Sequence, residues 1–183
     1  DRRQRQMCIR DSIYSFDNQI TNKQADKLIL NIDNSFFYQH YKSIETNGLI
    51  IKSNNSKGVM IKGYDEYDKN HYLFNSINMG ALIQNPKSEI LIGDSLANEM
   101  NLNVGDKVKI AIPKTDKTIL GNIPRFKTLE VVGVFDLGLY EYDSNLIFLS
   151  SELVRKLLLY DEDIYNKIEF FTSSPNEIEL FKN

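Results

Sequence analysis

The sequence predicts an α+β fold, in which strand–helix–strand units at the two ends of the chain enclose a middle that is mostly β-structure. Three observations lead to this prediction. Capping signals precede amphipathic helices near both ends, and alternating apolar residues mark strands in the middle. The composition is that of a globular domain, since 42% of the 183 residues are hydrophobic.

The first outer segment is predicted to contain one helix between strands. Thr21 and Gln24 stand three residues apart, which is the spacing of a capping box. The predicted strands are residues 13–20, 36–45, 49–52 and 59–62. The helix that follows the capping box has apolar residues that fall on one face: Ala25, Leu28, Ile29 and Ile32.

The rest of the chain alternates strands with short helices. We predict strands at residues 89–92, 107–112, 128–137, 146–149 and 167–172. Asp94 is predicted to cap a helix that ends at residue 100, and Ser150 or Ser151 to cap a helix that ends at residue 159. Ser174 and Glu177 have capping-box spacing and announce a further helix.

Residues 113–127 connect two predicted antiparallel strands and are much longer than an ordinary hairpin loop. Pro113 and Pro124 stiffen its ends and remove two backbone donors. Ile119 and Leu120 lie near its tip, and Arg125, Phe126 and Lys127 follow at its base. An apolar tip on a cationic and aromatic foot is typical of a docking arm. The alternative is a flexible surface loop.

Charge and composition exclude several functions. Lys and Arg total 22 against 25 Asp and Glu, which gives a net charge of -3, so we expect no nucleic-acid partner. The longest apolar runs, residues 79–83 and 131–135, are far shorter than the roughly 18 residues of a spanning helix. The one cysteine, Cys8, cannot form a disulfide within the chain.

The first twelve residues differ from the rest in composition. Four of the six arginines and the only cysteine lie there, without apolar periodicity or the pattern of a signal peptide. We predict that residues 1–12 are a non-native sequence scar, although a basic arm is the alternative. Because the final predicted helix stops after about two turns, too short to be stable alone, we expect the sequence to be a fragment cut at both ends.

Residues 93–96, Gly-Asp-Ser-Leu, resemble the signature of a serine hydrolase family. Asp68 and His71 have the spacing of that family's second catalytic block, but they precede Ser95, which reverses the family's order. The structural alternative is that Asp94 caps a helix and Leu96 enters the core. We favour this alternative because no oxyanion block is present, and we expect a non-catalytic protein.

Two acidic clusters also invite a functional interpretation. One, in a polar loop, could ligate a cation, and the other could supply the carboxylate pair of a glycosidase. A solvated loop and a packed crossover are the structural alternatives, which we favour. Without a zinc spacing, phosphate loop or nucleotide fingerprint, we expect no metal and no cofactor. The clusters are Asp65, Glu66, Asp68 and His71, and Asp136, Glu141 and Asp143.

The middle of the chain resembles the periplasmic domain of LolC/LolE-type permeases of lipoprotein-releasing ABC transporters. The sequences that carry the resemblance are ILIGDSLANEMNLNVGDKVKIAIP at 90–113, PRFK at 124–127 and VVGVFDLGLYEYDSNLIFLS at 131–150. GVMIKGYD at 58–65 and the strand 167–172 are similar to that family too. The resemblance covers about residues 13–183.

The resemblance implies a MacB-like periplasmic domain with two subdomains. Residues 13–65 and 146–183 would form a ferredoxin-like βαβ (Porter-like) subdomain. Residues 66–145 would form an inserted β-rich (Sabre-like) subdomain that bears a hairpin hook at 113–124. The domain would lie on the periplasmic side of the inner membrane of a Gram-negative bacterium.

The resemblance also implies partners. In the family a periplasmic carrier chaperone docks on the hook and on a polar, basic pad beside it. A second permease subunit, a cytoplasmic ABC ATPase and lipoprotein substrates complete the system, and the work of this domain would be binding and force transmission. Its implied contact residues are, in the hook, Pro113, Ile119, Leu120, Gly121 and Pro124, and, in the pad, Lys109, Arg125, Phe126 and Lys127.

Overall fold

The computed structural model describes residues 9–14, 19–31, 39–118 and 121–172. The strands of this part are β1 (Ile9–Tyr14), β2 (Ile20–Thr21), β3 (Gln39–Lys52), β4 (Asn55–Tyr64), β5 (Ile77–Gly80), β6 (Glu89–Gly93), β7 (Lys107–Thr118), β8 (Gly121–Phe135), β9 (Leu146–Ser150), β10 (Ile164–Tyr165) and β11 (Lys167–Thr172). The helices are α1 (Asn22–Asn31), α2 (Asp94–Met100), α3 (Tyr140–Asn145) and α4 (Ser151–Leu158), with a 3-10 turn at Phe74–Ser76.

The chain forms two compact units. Unit 1 comprises Asp1–Ser43 and Asp163–Asn183, and unit 2 comprises Ile44–Glu162. These bounds differ from those of the two predicted subdomains, whose assignment stays a prediction.

Unit 1 is built on an antiparallel sheet in which β11 pairs with β1 on one side and with the start of β3 on the other. The predicted capping box of α1 is confirmed. The Thr21 N–H donates to Gln24 Oε1 at 2.9 Å, and the Gln24 N–H donates to Thr21 Oγ1 at 3.3 Å. Of the apolar residues predicted to share one face of α1, Ala25 and Ile29 are buried, whereas Leu28 is 39% exposed. Among the described residues of this unit, one buried core cluster is formed by Ile20, Ala25, Ile29, Ile168 and Phe170.

Residues 9–12 belong to β1, although residues 1–12 are predicted to be a non-native scar. β1 pairs with β11 from Ile9 opposite Thr172 to Tyr14 opposite Lys167. Ladder hydrogen bonds use the backbone, so composition alone does not prevent a segment from joining a sheet. The foreign origin of residues 1–12 stays a prediction.

Unit 2 contains a closed ring of six hydrogen-bonded strands. Going round the ring, β3 pairs with β4, β4 with β9, β9 with β6, β6 with β8, β8 with β7, and β7 again with β3. The β4–β9 and β6–β8 pairs are parallel and the other four are antiparallel. β5 is attached to β8 outside the ring. A closed ring leaves no edge among its own members, and its side chains include the buried Ile50, Ile61, Leu91, Val108, Ile110, Leu129, Val131 and Ile147.

Helix ends in unit 2 follow the sequence closely. Ser150 caps α4, because its Oγ accepts the Leu153 N–H at 3.1 Å. The prediction that Asp94 caps α2 is wrong by one residue, since Gly93 takes that position and Asp94 lies in the first turn. The helix predicted from Ser174 lies outside the described residues. Within the described residues, no helix is both long and apolar enough to cross a membrane.

Candidate functional site

The long connection of the sequence analysis is a continuous hairpin. β7 and β8 pair from Lys107 opposite Glu130 up to Thr118 opposite Gly121. The register shifts between Ile112 and Asp116, where both Pro113 and Pro124 lie. Proline has no N–H to donate to a ladder, so an irregularity at this point is expected.

The described part of the chain stops just short of the tip of the hairpin. The predicted tip residues Ile119 and Leu120 lie outside the described residues. Pro113, Gly121 and Pro124 are placed in the strands by their backbones. The remaining predicted contact residues form the foot of the hairpin, defined here as Lys109 and residues 125–127.

The register places the foot residues on two faces. Ala111 lies opposite Phe126, and Lys109 lies opposite Thr128. Because residues directly opposite each other share a face and neighbours along a strand alternate, Lys109 and Phe126 share one face. Arg125 and Lys127 therefore occupy the other face. The implied pad thus has a mixed side, which carries Lys109 and the 54% exposed Phe126, and a basic side, which carries Arg125 and Lys127.

The apolar part of the mixed side continues into the neighbouring strand. Leu49 of β3 lies opposite Ala111, which lies opposite Phe126, so the three form one cross-strand row. Leu49 is 44% exposed and Ala111 is buried. Gly58 of β4 extends the row, and open space surrounds the position where it would carry a Cβ atom. The row presents two large apolar side chains, Leu49 and Phe126, to solvent.

The basic side meets α4. Lys127, Lys87 and Lys156 line a cleft of about 100 Å³ together with Pro86, Glu152 and Leu153. The Arg125 guanidinium Nη1 donates to the Lys156 carbonyl oxygen at 3.4 Å. We call Lys87, Arg125, Lys127 and Lys156 the basic cluster.

The Glu152 carboxylate offsets part of the positive charge of the basic cluster. Lys156 Nζ lies 2.5 Å from Glu152 Oε1. This hydrogen bond lowers the pKa of Glu152, and the charges of Lys156, Lys87 and Arg155 lower it further. Three lysines and one carboxylate line the cleft, which leaves a local positive charge on a chain whose net charge is -3.

Sequence reasoning missed Lys87 and Lys156. They lie 40 residues before and 29 residues after Lys127, counted along the printed sequence, and only tertiary folding brings them together. A weak signal existed for Lys156, because the buried face of α4 consists of Leu153, Val154, Leu157 and Leu158. Lys156 must then point away from that face.

The hydrolase-like residues have structural roles. Leu96 is buried, and the Asp94 carboxylate accepts a hydrogen bond from Asn98 Nδ2 at 3.2 Å. His71 is 2% exposed and packs against Tyr64 and Tyr72, with ring centroids 4.7 Å away in both pairs. Its Nδ1 accepts the Leu73 N–H at 3.3 Å, so this nitrogen is already occupied by a backbone donor.

The acidic residues around α3 organise a turn. Asp143 accepts hydrogen bonds from the N–H groups of Leu137 and Leu139, and Asp136 accepts from the Gly138 N–H. Burial raises the pKa of Asp143, and the charge of Asp136 raises it further. These contacts favour the packed crossover over a glycosidase pair.

Two of the candidate cation ligands, Asp65 and Asp68, form an ion pair and hydrogen bonds within the chain. Asp65 Oδ1 lies 3.1 Å from Arg155 Nη2, and Asp68 accepts the N–H groups of Asn70 and His71. In the part of the chain that the structure describes, no group of three or more His, Cys, Asp or Glu side chains is arranged to hold a metal ion.

Comparison with known proteins was made by sequence and by structure. No family model matches the chain. The lipoprotein-releasing system transmembrane protein LolC of Xylella fastidiosa strain 9a5c is 28% identical over 116 residues, which cover 61% of this chain and 28% of that protein. LolC of Neisseria meningitidis serogroup B is 33% identical over 76 residues, which cover 42% of this chain and 18% of that protein.

The predicted resemblance to LolC-type permeases is confirmed. A third sequence, LolC of Xylella fastidiosa strain Temecula1, is 35% identical over 72 residues, or 39% of this chain and 17% of that protein. The chain thus spans less than a third of the length of the LolC proteins that it matches.

The fold agrees with the LolC resemblance. The extracellular domain of the noncanonic ABC-type transporter YknZ from Gram-positive bacteria aligns with a TM-score of 0.57 at 13% identity, over 92% of this chain and 86% of that one. The periplasmic region of MacB from Actinobacillus actinomycetemcomitans aligns with a TM-score of 0.57 at 14% identity, over 93% and 79%. A MacB-like fold with mixed sheet and few helices is therefore confirmed, while the Porter-like and Sabre-like subdomains stay a prediction.

Proposed function

We propose that the chain is the periplasmic domain of the permease subunit of an ATP-driven lipoprotein-releasing complex, and that it docks a periplasmic carrier chaperone. The observation that carries the proposal is the β7–β8 hairpin, whose strands extend beyond the ring of unit 2 and whose foot is basic on one side and carries Phe126 with Lys109 on the other. The sequence similarity of the chain to LolC supports a lipoprotein-releasing complex over other transporters of this fold.

The two sides of the foot supply different parts of binding. Phe126 and Leu49 are large, exposed and apolar, and such side chains provide affinity when a partner covers them. The basic cluster provides orientation and a fast association rate to an acidic partner. The hook, residues 113–124, would reach further into the carrier through Ile119 and Leu120.

In the proposed complex this domain transmits motion. A separate cytoplasmic ABC ATPase would supply the energy, and a second permease subunit would face this one across the lipoprotein substrates. The complete permease would lie in the inner membrane of a Gram-negative bacterium. Closure of the periplasmic domains would then transfer a lipoprotein to the docked carrier.

The first test measures carrier binding by surface plasmon resonance. In the double variant Ile119→Asp and Leu120→Asp, two charges replace the apolar tip, and we expect the dissociation constant to rise at least about tenfold. Leu30→Asp is the control, because Leu30 is 80% exposed and lies on α1, outside the hairpin and the basic cluster. Equal affinity for the wild type and the double variant would remove the hook from the proposal.

The second test measures how much the basic cluster contributes to the rate of carrier association. Lys127→Glu should slow association several-fold and weaken its dependence on salt. Lys107→Glu makes the same charge change at an exposed position at the start of β7 and should have a smaller effect. If both variants slow association equally, net charge alone drives the encounter.

The structural neighbours favour a second candidate, a MacB-like efflux or cell-division permease domain without a carrier. Failure of the wild-type chain to bind any carrier chaperone, with the fold intact by circular dichroism, would favour this candidate. The serine hydrolase remains the enzyme alternative. An assay with a p-nitrophenyl ester should show no turnover that the Ser95→Ala variant abolishes.

A further inference from the structure

The cleft beside α4 is small enough to limit what it can hold. We call it the lysine cleft, and the described residues that line it are Lys87, Lys127, Lys156, Glu152, Pro86 and Leu153. Its volume of about 100 Å³ is roughly three times what one water molecule takes up in the liquid. Drug-sized ligands need about 300 Å³ or more, so the lysine cleft fits a group no larger than one side chain.

Hydrogen bonds hold both walls of the lysine cleft against α4. On one wall, the Ser150 hydroxyl, which also caps α4, donates to the Pro86 carbonyl oxygen. On the other wall, Arg125 Nη1 of β8 donates to the Lys156 carbonyl oxygen at 3.4 Å. The lysine cleft is therefore preformed, and a partner need not organise it on binding.

The charge inside the lysine cleft is positive. Three ammonium groups line it together with one carboxylate, that of Glu152. Glu89 follows the loop that carries Lys87, but its Oε2 accepts the backbone N–H groups of Gln84 and Asn85 at 2.6 and 2.9 Å. This second carboxylate is therefore already used within the loop. An anionic group that enters the lysine cleft would meet a net attraction.

The apolar walls favour a carboxylate that is carried on methylene groups. Leu153 is buried and Pro86 is half-buried, so both present fixed apolar surface beside the ammonium groups. The methylenes of an acidic side chain would lie against this surface while the carboxylate reaches the lysines. An inorganic anion has no methylenes to cover. The walls and the charge together point to an acidic side chain of a protein.

Glu152 already places one such carboxylate in the lysine cleft. Its Oε1 lies 2.5 Å from Lys156 Nζ. This hydrogen bond lowers the pKa of Glu152, and the charges of Lys156 and Lys87 lower it further, so the carboxylate is ionised at neutral pH. A second carboxylate would share Lys156 with Glu152 and would be repelled by it.

We propose that the lysine cleft accepts one acidic side chain of the docked partner, and that Glu152 is an internal competitor that weakens this contact. The inference rests on the proposed function, because the acidic side chain would belong to the carrier. Lys87 and Lys127 would bind the incoming carboxylate, and Lys156 would be shared between it and Glu152. Leu153 and Pro86 would cover the methylenes of the side chain.

The first experiment uses two short acetylated and amidated peptides, Gly-Leu-Glu-Leu-Gly and Gly-Leu-Gln-Leu-Gly. Their binding to the 183-residue chain is followed by NMR, from the backbone amide shifts of Lys87, Lys127 and Leu153. The glutamate peptide should shift these amides in a saturable way, and the glutamine peptide should bind at least about fivefold more weakly. Equal binding of the two peptides, or no binding of the glutamate peptide, would overturn the carboxylate site.

Two variants test the opposite roles of the lysines and of Glu152. Glu152→Gln removes the competitor and should strengthen binding of the glutamate peptide about two- to fivefold, whereas Lys87→Gln should weaken it by a similar factor. Glu141→Gln and Lys69→Gln make the same charge changes at exposed positions outside the lysine cleft and should leave the affinity unchanged. Weaker binding by Glu152→Gln would mean that Glu152 orients Lys156 for the partner, which would overturn its role as a competitor.

Inorganic phosphate tests whether the lysine cleft selects a side chain or any anion. At equal concentration and constant ionic strength, phosphate should shift the three amides less than the glutamate peptide does, because it has no methylenes for the apolar walls to cover. Equal shifts at equal concentration would show an unselective anion site and would overturn the assignment to an acidic side chain.

Surface plasmon resonance with the carrier separates this inference from the proposed function. Glu152→Gln should tighten carrier binding, and Lys87→Gln should weaken it. If the carrier binds the wild type and both variants equally, docking stands and the lysine cleft takes no part in it, which overturns the inference. If the chain binds the glutamate peptide but no carrier, the carboxylate site stands and the proposed function fails.

Discussion

Asp143 is predicted to hold the turn between β8 and α3, and replacing it tests how this part of unit 2 is stabilised. Its side chain is 4% exposed, Oδ1 accepts the Leu137 N–H at 2.8 Å, and Oδ2 accepts the Leu139 N–H at 3.1 Å. Asp143→Ala leaves both amides without these acceptors. At about 1–1.5 kcal/mol for each partly buried donor, we expect the free energy of unfolding to fall by about 2–3 kcal/mol.

Urea unfolding measures this loss. The chain has 10 tyrosines and no tryptophan, so tyrosine fluorescence and far-ultraviolet circular dichroism are the suitable probes. Asp143→Asn keeps one oxygen acceptor and should lose about half as much as Asp143→Ala. Glu141→Ala is the control on the same helix, where the exposed side chain should change the stability by no more than about 0.5 kcal/mol.

The pH dependence of the wild type provides a second measurement on Asp143. Burial raises the pKa of this carboxyl above its ordinary 3.8, and the nearby Asp136 charge raises it further. When the folded state has the higher pKa, the stability contributed by the group is full below the ordinary pKa and is lost as the pH rises through the folded pKa. The Asp143→Asn variant lacks this titration, so its deficit relative to the wild type should shrink from about pH 3.5 to pH 7.

Either of two results would refute this reasoning. One is an Asp143→Ala variant that unfolds at the same urea concentration and with the same slope as Glu141→Ala. The other is a deficit of Asp143→Asn that grows with pH, which would mean that the folded state lowers the pKa of Asp143. The first would show that the two backbone hydrogen bonds contribute little to stability, and the second that they outweigh burial in setting the pKa of Asp143.

Three further predictions concern unit 2. Gly93→Ala should lower the free energy of unfolding in urea by more than about 2 kcal/mol. The reason is that the added Cβ would lie 2.1 Å from the Asp143 carbonyl oxygen. An unchanged free energy of unfolding would show that the two backbones separate easily. Ser150→Ala should cost about 1 kcal/mol in thermal unfolding through loss of the α4 cap, and an unchanged melting temperature would contradict the cap. The hydrogen bond from Lys52 lowers the pKa of Asp106, so the stability from this pair is present above about pH 4 and is lost as the pH falls through the folded pKa. In Lys52→Met, an NMR titration should find the Asp106 pKa closer to its ordinary 3.8, and an unmoved value would show that the pair does not form in solution.

Local signals in the sequence located most elements. The Thr21 and Gln24 capping box, the Ser150 cap and the start of β7 at Lys107 all depend on residues close in the chain. Such signals are readable because a cap or an alternating strand uses only neighbours within a few positions. Such signals do not tell how deeply each residue of an apolar face is buried, as the 39% exposed Leu28 shows, since burial depends on what packs against the helix.

The sequence by itself therefore determined the α+β class, the hairpin arm framed by Pro113 and Pro124, and the resemblance to LolC-type permeases. Only the tertiary structure decided that six strands close into a ring and that the foot of the hairpin has two unlike faces. It also decided that Lys87 and Lys156 line the same cleft as Lys127, and that a second cleft lies beside β5. The physical reason is that ring closure, cross-strand register and clefts arise from residues far apart in the chain, which no local periodicity encodes.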